Sequence, residues 1–214
     1  MKKLAICGCS WASDFDSADY TNKNKEVFEN SQLWQYNLGY NPIINARPGS
    51  TNLKIYTQVQ HTIENPFDMC LVFLSSPSRI NIAWKESDGW NLESKFQQGR
   101  TDIVNNHAPE ETREYIAKYY NEDLEILNSF VITEAIYWKL KQTGKPFMIF
   151  TNAFNYYIHN DWKIFQQPEI IHDGPEKLIG IPECQGKDVP NHLSLKGQNL
   201  ARELVLKYLV DNTT

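Results

Sequence analysis

The feature of this sequence that most restricts its fold is a set of short, continuous apolar runs separated by stretches of helical spacing. The clearest run is Met69-Cys70-Leu71-Val72-Phe73-Leu74. It has no polar alternation, so a strand there must be covered on both faces, as strands of a parallel sheet are. Leu4 to Cys9, Pro42 to Asn45 and Pro146 to Thr151 are runs of the same kind. Between them, Ser50 or Thr51 can cap a helix running to about Glu64, with Leu53, Tyr56, Val59 and Ile63 on one face and Asn65-Pro66 closing it. Glu26 to Leu38 predicts another helix, stopped by Gly39. Glu110 to Thr143 predicts a long one, broken near Asn121, with Ile126, Phe130, Ile132, Ala135, Ile136 and Leu140 on its apolar side and Gly144 at its end. Leu178 to Ile181 reads as a last strand, and Leu195 to Val210 as a closing helix with Leu200, Leu204 and Leu209 inward. Strands alternating with helices predict a parallel sheet with helices on both faces.

Length and composition narrow this further. At about 150 residues per domain, 214 residues predict one domain over 1–214, with the irregular segment at about 75–109 as an insertion. A chain of this size buries about 70% of the surface its unfolded form exposes, and needs no disulfide or metal to hold it. Cys7, Cys9, Cys70 and Cys184 lack zinc-site spacing and read as unpaired core thiols. The 21 Lys and Arg against 26 Asp and Glu leave a net charge of −5, which argues against a general nucleic-acid binder. No run approaches the length of a membrane span, and Leu4 to Cys7 is too short for a signal-peptide core, so a cytoplasmic location is expected. The Gly-Lys-Ser/Thr phosphate loop and the dinucleotide fingerprint are both missing, and His61, His107, His159 and His172 lack metal-ligand spacing. No cofactor is expected.

In open parallel sheets, ligands bind beyond the carboxyl ends of the strands. The loops that begin at Ser10, Arg47, Ser75 and Thr151, and the one before His192, are therefore where chemistry belongs. Three of them carry Gly8-Cys9-Ser10, then Asn45-Ala46-Arg47-Pro48-Gly49-Ser50-Thr51-Asn52, then Asp188-Val189-Pro190-Asn191-His192-Leu193-Ser194. In this order they resemble the SGNH (GDSL-like) hydrolase family, from Cys7 to about Leu204. The resemblance implies a flavodoxin-like three-layer α/β/α sandwich with a mostly parallel five-stranded sheet. It also implies a serine esterase or deacetylase acting on an acyl ester, with Ser10 as nucleophile, His192 as base and Asp188 as the acid that orients it. The chemistry is general: a serine hydroxyl attacks only when a base takes its proton, and the developing oxyanion needs donors. Backbone N–H groups of Ser10 and Gly49 would supply two.

The sequence departs from the family pattern in three places. Cys9 stands where the family has Asp. Pro77, in Ser75-Ser76-Pro77-Ser78-Arg79, stands where the family's oxyanion Asn falls, and proline has no N–H to donate. Asn52, Ser75, Ser76 and Arg79 are the candidates to replace it. Asp188 precedes His192 by four residues, one more than the family spacing, so a Ser-His dyad oriented by a backbone carbonyl is the alternative to a triad. Trp84, Trp90, Tyr156, Tyr157 and Trp162 lie in loops over the strand ends; family members that deacetylate carbohydrates make an acetylated sugar one expected substrate. Gly8-Cys9-Ser10-Trp11 and Ser75-Ser76-Pro77-Ser78-Arg79 also resemble the SGNH-like proteins of tailed bacteriophages. That resemblance implies a virion location and, as a second expectation, an inactive structural or binding subunit among viral structural proteins.

Overall fold

A computed structural model of the chain describes residues 1–9, 12–13, 33–47, 50–77, 79–82, 97–100, 114, 118–151, 162–175, 178, 181–186 and 189–211, without the side chains of 79–82, 97–100, 185–186, 189–192 and 211. Its centre is a five-stranded sheet. The strands are β1 (Lys3–Gly8), β2 (Asn41–Ile44), β3 (Met69–Phe73), β6 (Phe147–Phe150) and β7 (Ile170–Ile171), in the order β2-β1-β3-β6-β7. Every pairing in it is parallel. The apolar runs form strands because both faces are covered: every residue of β3 and every residue of β1 after Lys3 is buried.

Strand alternation divides the core into two layers. On one face Ala5, Cys7, Cys70 and Val72 meet Ile55 and Val59 of α1 (Asn52–Ile63) and Phe130, Ile136 and Leu140 of α2 (Glu122–Lys141). On the other, Leu4, Ile6, Leu71 and Phe73 meet Trp34 and Ala201, Val205 and Leu209 of α3 (Leu195–Asp211). Phe73 and Phe150, register partners on β3 and β6, stack at 4.6 Å, and Trp34 meets Phe73 edge-on at 5.3 Å. Such pairs add about 1 kcal/mol each beyond the area they bury. The result is the three-layer α/β/α sandwich expected from the family resemblance. All four cysteines are buried and none is in a disulfide. Among the described residues no helix is long and apolar enough to cross a membrane.

Local signals were accurate where the chemistry is local. Thr51 caps α1 by accepting a bond from the Lys54 N–H at 3.3 Å, and Asn121 caps α2 through the Leu124 N–H at 3.1 Å, at the break expected there. Gly144, at φ +66°, takes the left-handed turn after α2. Four expectations are corrected. The fifth sheet strand is Ile170–Ile171 rather than Leu178–Ile181: of the latter only Leu178 and Ile181 lie among the described residues, neither is in a strand, and a 3₁₀ turn at Pro182–Cys184 follows on the way to α3. Within the segment expected to be irregular, β4 (Arg79–Ile82) and β5 (Gln97–Arg100) pair antiparallel. Of the expected helix over Glu26 to Leu38, residues 26–32 lie outside the described residues, and its end is a 3₁₀ turn at Trp34–Asn37.

The fourth correction concerns α3. Its buried line is Gly197, Ala201, Val205 and Leu209, with Leu200 and Leu204 only half-buried. The smallest residues face inward because the helix lies almost in contact with the segment that leads into it. A Cβ on Gly197 would stand 2.6 Å from the Cys184 carbonyl oxygen and 2.9 Å from Leu193 Cδ2. Only glycine permits that approach.

Candidate active site

The chain enters the sheet at β1, moves to β2 on one side and then crosses over to β3 on the other. The carboxyl ends of β1 and β3 therefore mark the topological switch point, the place where open parallel sheets bind ligands. At this point stand Gly8, which ends β1, and Ser75, two residues past the end of β3. Gly8 is packed so closely that a Cβ on it would lie 3.0 Å from each of Ala12 Cβ, Phe73 Cβ and the Phe73 carbonyl.

Two buried amide side chains of α1 hold these strand ends. Asn52 grips Ser75 from both sides: its Oδ1 accepts the Ser75 N–H at 2.8 Å, and its Nδ2 donates to the Ser75 carbonyl at 3.0 Å and to Ser129 Oγ at 3.2 Å. Gln58 grips Gly8 in the same manner. Its Oε1 accepts the Gly8 N–H at 2.8 Å, and its Nε2 donates to the Gly8 carbonyl at 3.2 Å and to Ser50 Oγ at 3.0 Å. Ser50 Oγ in turn donates to the Arg47 carbonyl at 2.9 Å, while the Arg47 N–H donates to Gly8 at 3.1 Å. One carboxamide thus locks the end of β1 to the loop that holds Pro48 and Gly49. A third inward polar residue, Thr62, donates to the Gln58 carbonyl and accepts from Asn45 Nδ2 at 2.8 Å.

This polar line corrects the face read for α1: Val59 is buried and Tyr56 and Ile63 pack against the core as expected, but Leu53 does not. Leu53 is exposed, and Asn52, Ile55, Gln58, Val59 and Thr62 are buried. Hydrophobic periodicity missed it because the helix packs its polar residues against strand ends, whose N–H and C=O groups lack sheet partners and must be satisfied by something. Gln58 was missed altogether; the signal available was three polar side chains on the helical period of the apolar ones. Replacing Gln58 with leucine is expected to cost about 2 kcal/mol, because the buried Gly8 N–H is left unpaired. A urea midpoint that falls with an unchanged m-value would register it; an unchanged midpoint would show that the brace carries no weight.

The expected donor Asn52 is thus turned to the backbone of Ser75 and to Ser129, with both amide hydrogens in use. The Ser75 hydroxyl is buried and has no hydrogen-bond partner among the described residues. Ser76 is half-buried and Pro77 buried beside it. Ser10, Gly49 and Asp188 lie outside the described residues, as do Trp84, Trp90, Tyr156 and Tyr157 and the side chains of Arg79 and His192. Arg79 opens β4, and its backbone pairs with Arg100. Trp162 is half-buried and packs edge-on against Phe130 at 5.1 Å.

The backbone of His192 is placed by its neighbours. It lies in β9 (Val189–Leu193), which pairs antiparallel with β8 (Gln185–Gly186). Ser194, next along, donates its N–H to the Cys184 carbonyl at 2.7 Å and accepts the Gly197 N–H on its hydroxyl at 3.3 Å. The bonds of Ser194 and the close approach of Gly197 therefore anchor both sides of the turn into α3. A second histidine, His172, also sits at the carboxyl edge, just after β7. Its Nε2–H donates to the Phe165 carbonyl at 2.8 Å, and its Nδ1 pairs with Thr151 Oγ1, also at 2.8 Å. With both ring nitrogens engaged, His172 braces the ends of β6 and β7 rather than offering a free base.

No protein-family model matches the sequence, nor does any curated protein sequence. Among solved structures the chain is similar to the psychrotrophic esterase EstA of Pseudoalteromonas sp., in a form inhibited by monoethylphosphonate, at 10% identity and a TM-score of 0.57, over 99% of this chain and 100% of that one. It is similar also to TesA, at 12% identity and a TM-score of 0.49 over 97% of this chain and 98% of that one. An acetyl xylan esterase, AlAXEase, matches at 12% identity and 0.49 over 97% and 99%. The likeness to EstA extends over the whole chain and shows the fold.

Proposed function

We propose that this chain is a serine ester hydrolase of SGNH type, with its site at the switch point between β1 and β3. The observation that carries the reading is the Gln58 brace, which holds Gly8 and the loop around Gly49 in one hydrogen-bonded unit. Those are the two backbone segments whose N–H groups an oxyanion would need, and preorganised donors are the largest single contribution to such catalysis. The likeness of the fold to an esterase structure supports the reading.

In the proposed reaction the Ser10 hydroxyl oxygen attacks the ester carbonyl carbon while the His192 imidazole takes its proton. A C–O bond forms, and the carbonyl oxygen becomes an oxyanion held by the N–H groups of Ser10 and Gly49. Collapse breaks the bond to the alcohol, which leaves with the proton returned by His192. Water, deprotonated by the same imidazole, then releases the acid from Ser10. Asp188 orients the imidazole, and Ser76 and Arg79 contact the substrate. Ser75 supplies the donor that Pro77 lacks. Gly8 and Phe73 are register partners, and Ser10 and Ser75 each stand two residues beyond them. Asn52 is a positioning residue that holds Ser75 in place. The substrate class is a small acyl ester, with an acetylated sugar as the specific candidate.

A fluorophosphonate probe read by intact mass tests the proposal. Wild type is expected to gain one adduct, and Ser10→Ala and His192→Ala none. Failure of the folded wild-type protein to label would overturn the reading in favour of a non-catalytic subunit of the same fold.

A further inference from the structure

Helix α2 is apolar on two opposite sides. Phe130, Ile136, Tyr137 and Leu140 face the core, while Leu124, Leu127, Val131 and Trp138 are 51%, 45%, 55% and 52% exposed. Four of the nine large hydrophobic residues exposed among the described residues therefore lie on one helix. They share one stripe: Leu124, Val131 and Trp138 are seven residues apart, with Leu127 between the first two and the exposed Glu134, which accepts from Trp138 Nε1 at 3.4 Å, between the last two. This is the spacing of a helix-to-helix seam.

The stripe also has an internal symmetry. Val131 is its midpoint, seven residues from Leu124 and seven from Trp138. Charge divides about the same point, with Glu122, Asp123 and Glu125 in the first turn and Lys139 and Lys141 in the last. We propose that α2 is the interface of a two-fold homodimer, with the two copies of the helix antiparallel and crossing at Val131. In that arrangement Leu124 packs on Trp138 of the partner subunit, and Val131 packs on its own equivalent. At 100° per residue Asp123 and Lys141 fall on one flank of the stripe, while Glu125, half-buried, turns back toward its own chain. A two-fold axis relates like flanks, so Asp123 meets the partner's Lys141. Lys141 also bonds Glu169 within its own chain, which fixes its position. A parallel pairing would instead set acid against acid and base against base. The self-complementary patch is what an isologous contact requires, with a tryptophan as its large apolar anchor. The helix is about 30 Å long, enough for a continuous seam.

Sedimentation velocity on the full chain tests this. Wild type is expected to be dimeric at micromolar concentration. Val131→Glu, which sets two carboxylates against each other on the axis, is expected to weaken the dimer by roughly 30-fold or more with circular dichroism unchanged. Register is read by cross-linking, since the four native thiols are buried. Val131→Cys is expected to form a disulfide dimer alone; Leu124→Cys is expected to cross-link only when mixed with Trp138→Cys. A monomeric wild type, or a dimer indifferent to Val131→Glu, would overturn the proposal. Self-cross-linking at Leu124→Cys would overturn the antiparallel register.

Discussion

Ester hydrolysis by Ser10→Ala is expected to fall by about 10⁴-fold or more from the wild-type kcat, with urea stability changed by less than about 0.5 kcal/mol. The size follows from the mechanism. Without the hydroxyl there is no acyl-enzyme, and what remains is water attack assisted only by the oxyanion donors and by binding. Members of such a set act as one unit, so His192→Ala should cost a similar factor, and the double variant hardly more than either single one. A p-nitrophenyl acetate assay on the three variants reads this. Losses that multiply in the double variant would mean that the two residues do not share a step.

The second large effect is expected at Ser75, where stability and activity should part. The hydroxyl is buried and has no hydrogen-bond partner among the described residues. Removing it in Ser75→Ala takes away an unsatisfied polar group and should leave stability unchanged or slightly raised. In the proposed reaction it is the donor that replaces the proline-blocked position, so it should carry about 100-fold in kcat with little effect on KM, because an oxyanion exists only in the transition state. The alternative donor is separated by Asn52→Ala. That change strips the N–H and C=O of Ser75 of their partners, so stability and activity should fall together. An unchanged kcat in Ser75→Ala would remove Ser75 from the reaction and return the role to Ser76 or Arg79.

How much of this was legible in the sequence depended on how far apart the determining groups lie. The buried strands Leu4 to Gly8, Met69 to Phe73 and Phe147 to Phe150 were readable because each is a continuous apolar run, and such a run needs cover on both faces. The caps Thr51 and Asn121 were readable because a cap reaches only three residues along the chain. The strand Ile170–Ile171 was not: two residues make no pattern, and it exists as a strand because β6 beside it offers a free edge. The inward line of α3 was misplaced for a related reason. Leucines mark a hydrophobic face, but a helix that must approach a backbone carbonyl turns glycine and alanine toward it.

The sequence alone determined the class of fold, because continuous apolar runs and helical spacing are local patterns, and with it the carboxyl edge as the place where a site was to be sought. Only the tertiary structure decided what holds that edge together. Asn52 and Gln58 read as polar helix residues until the ends of β1 and β3 are brought beside them, with N–H and C=O groups that no neighbouring strand can satisfy. The same holds for the outer stripe of α2. Its leucine, valine and tryptophan count as core material in one dimension, and become a surface only once the helix has turned its other side to the sheet.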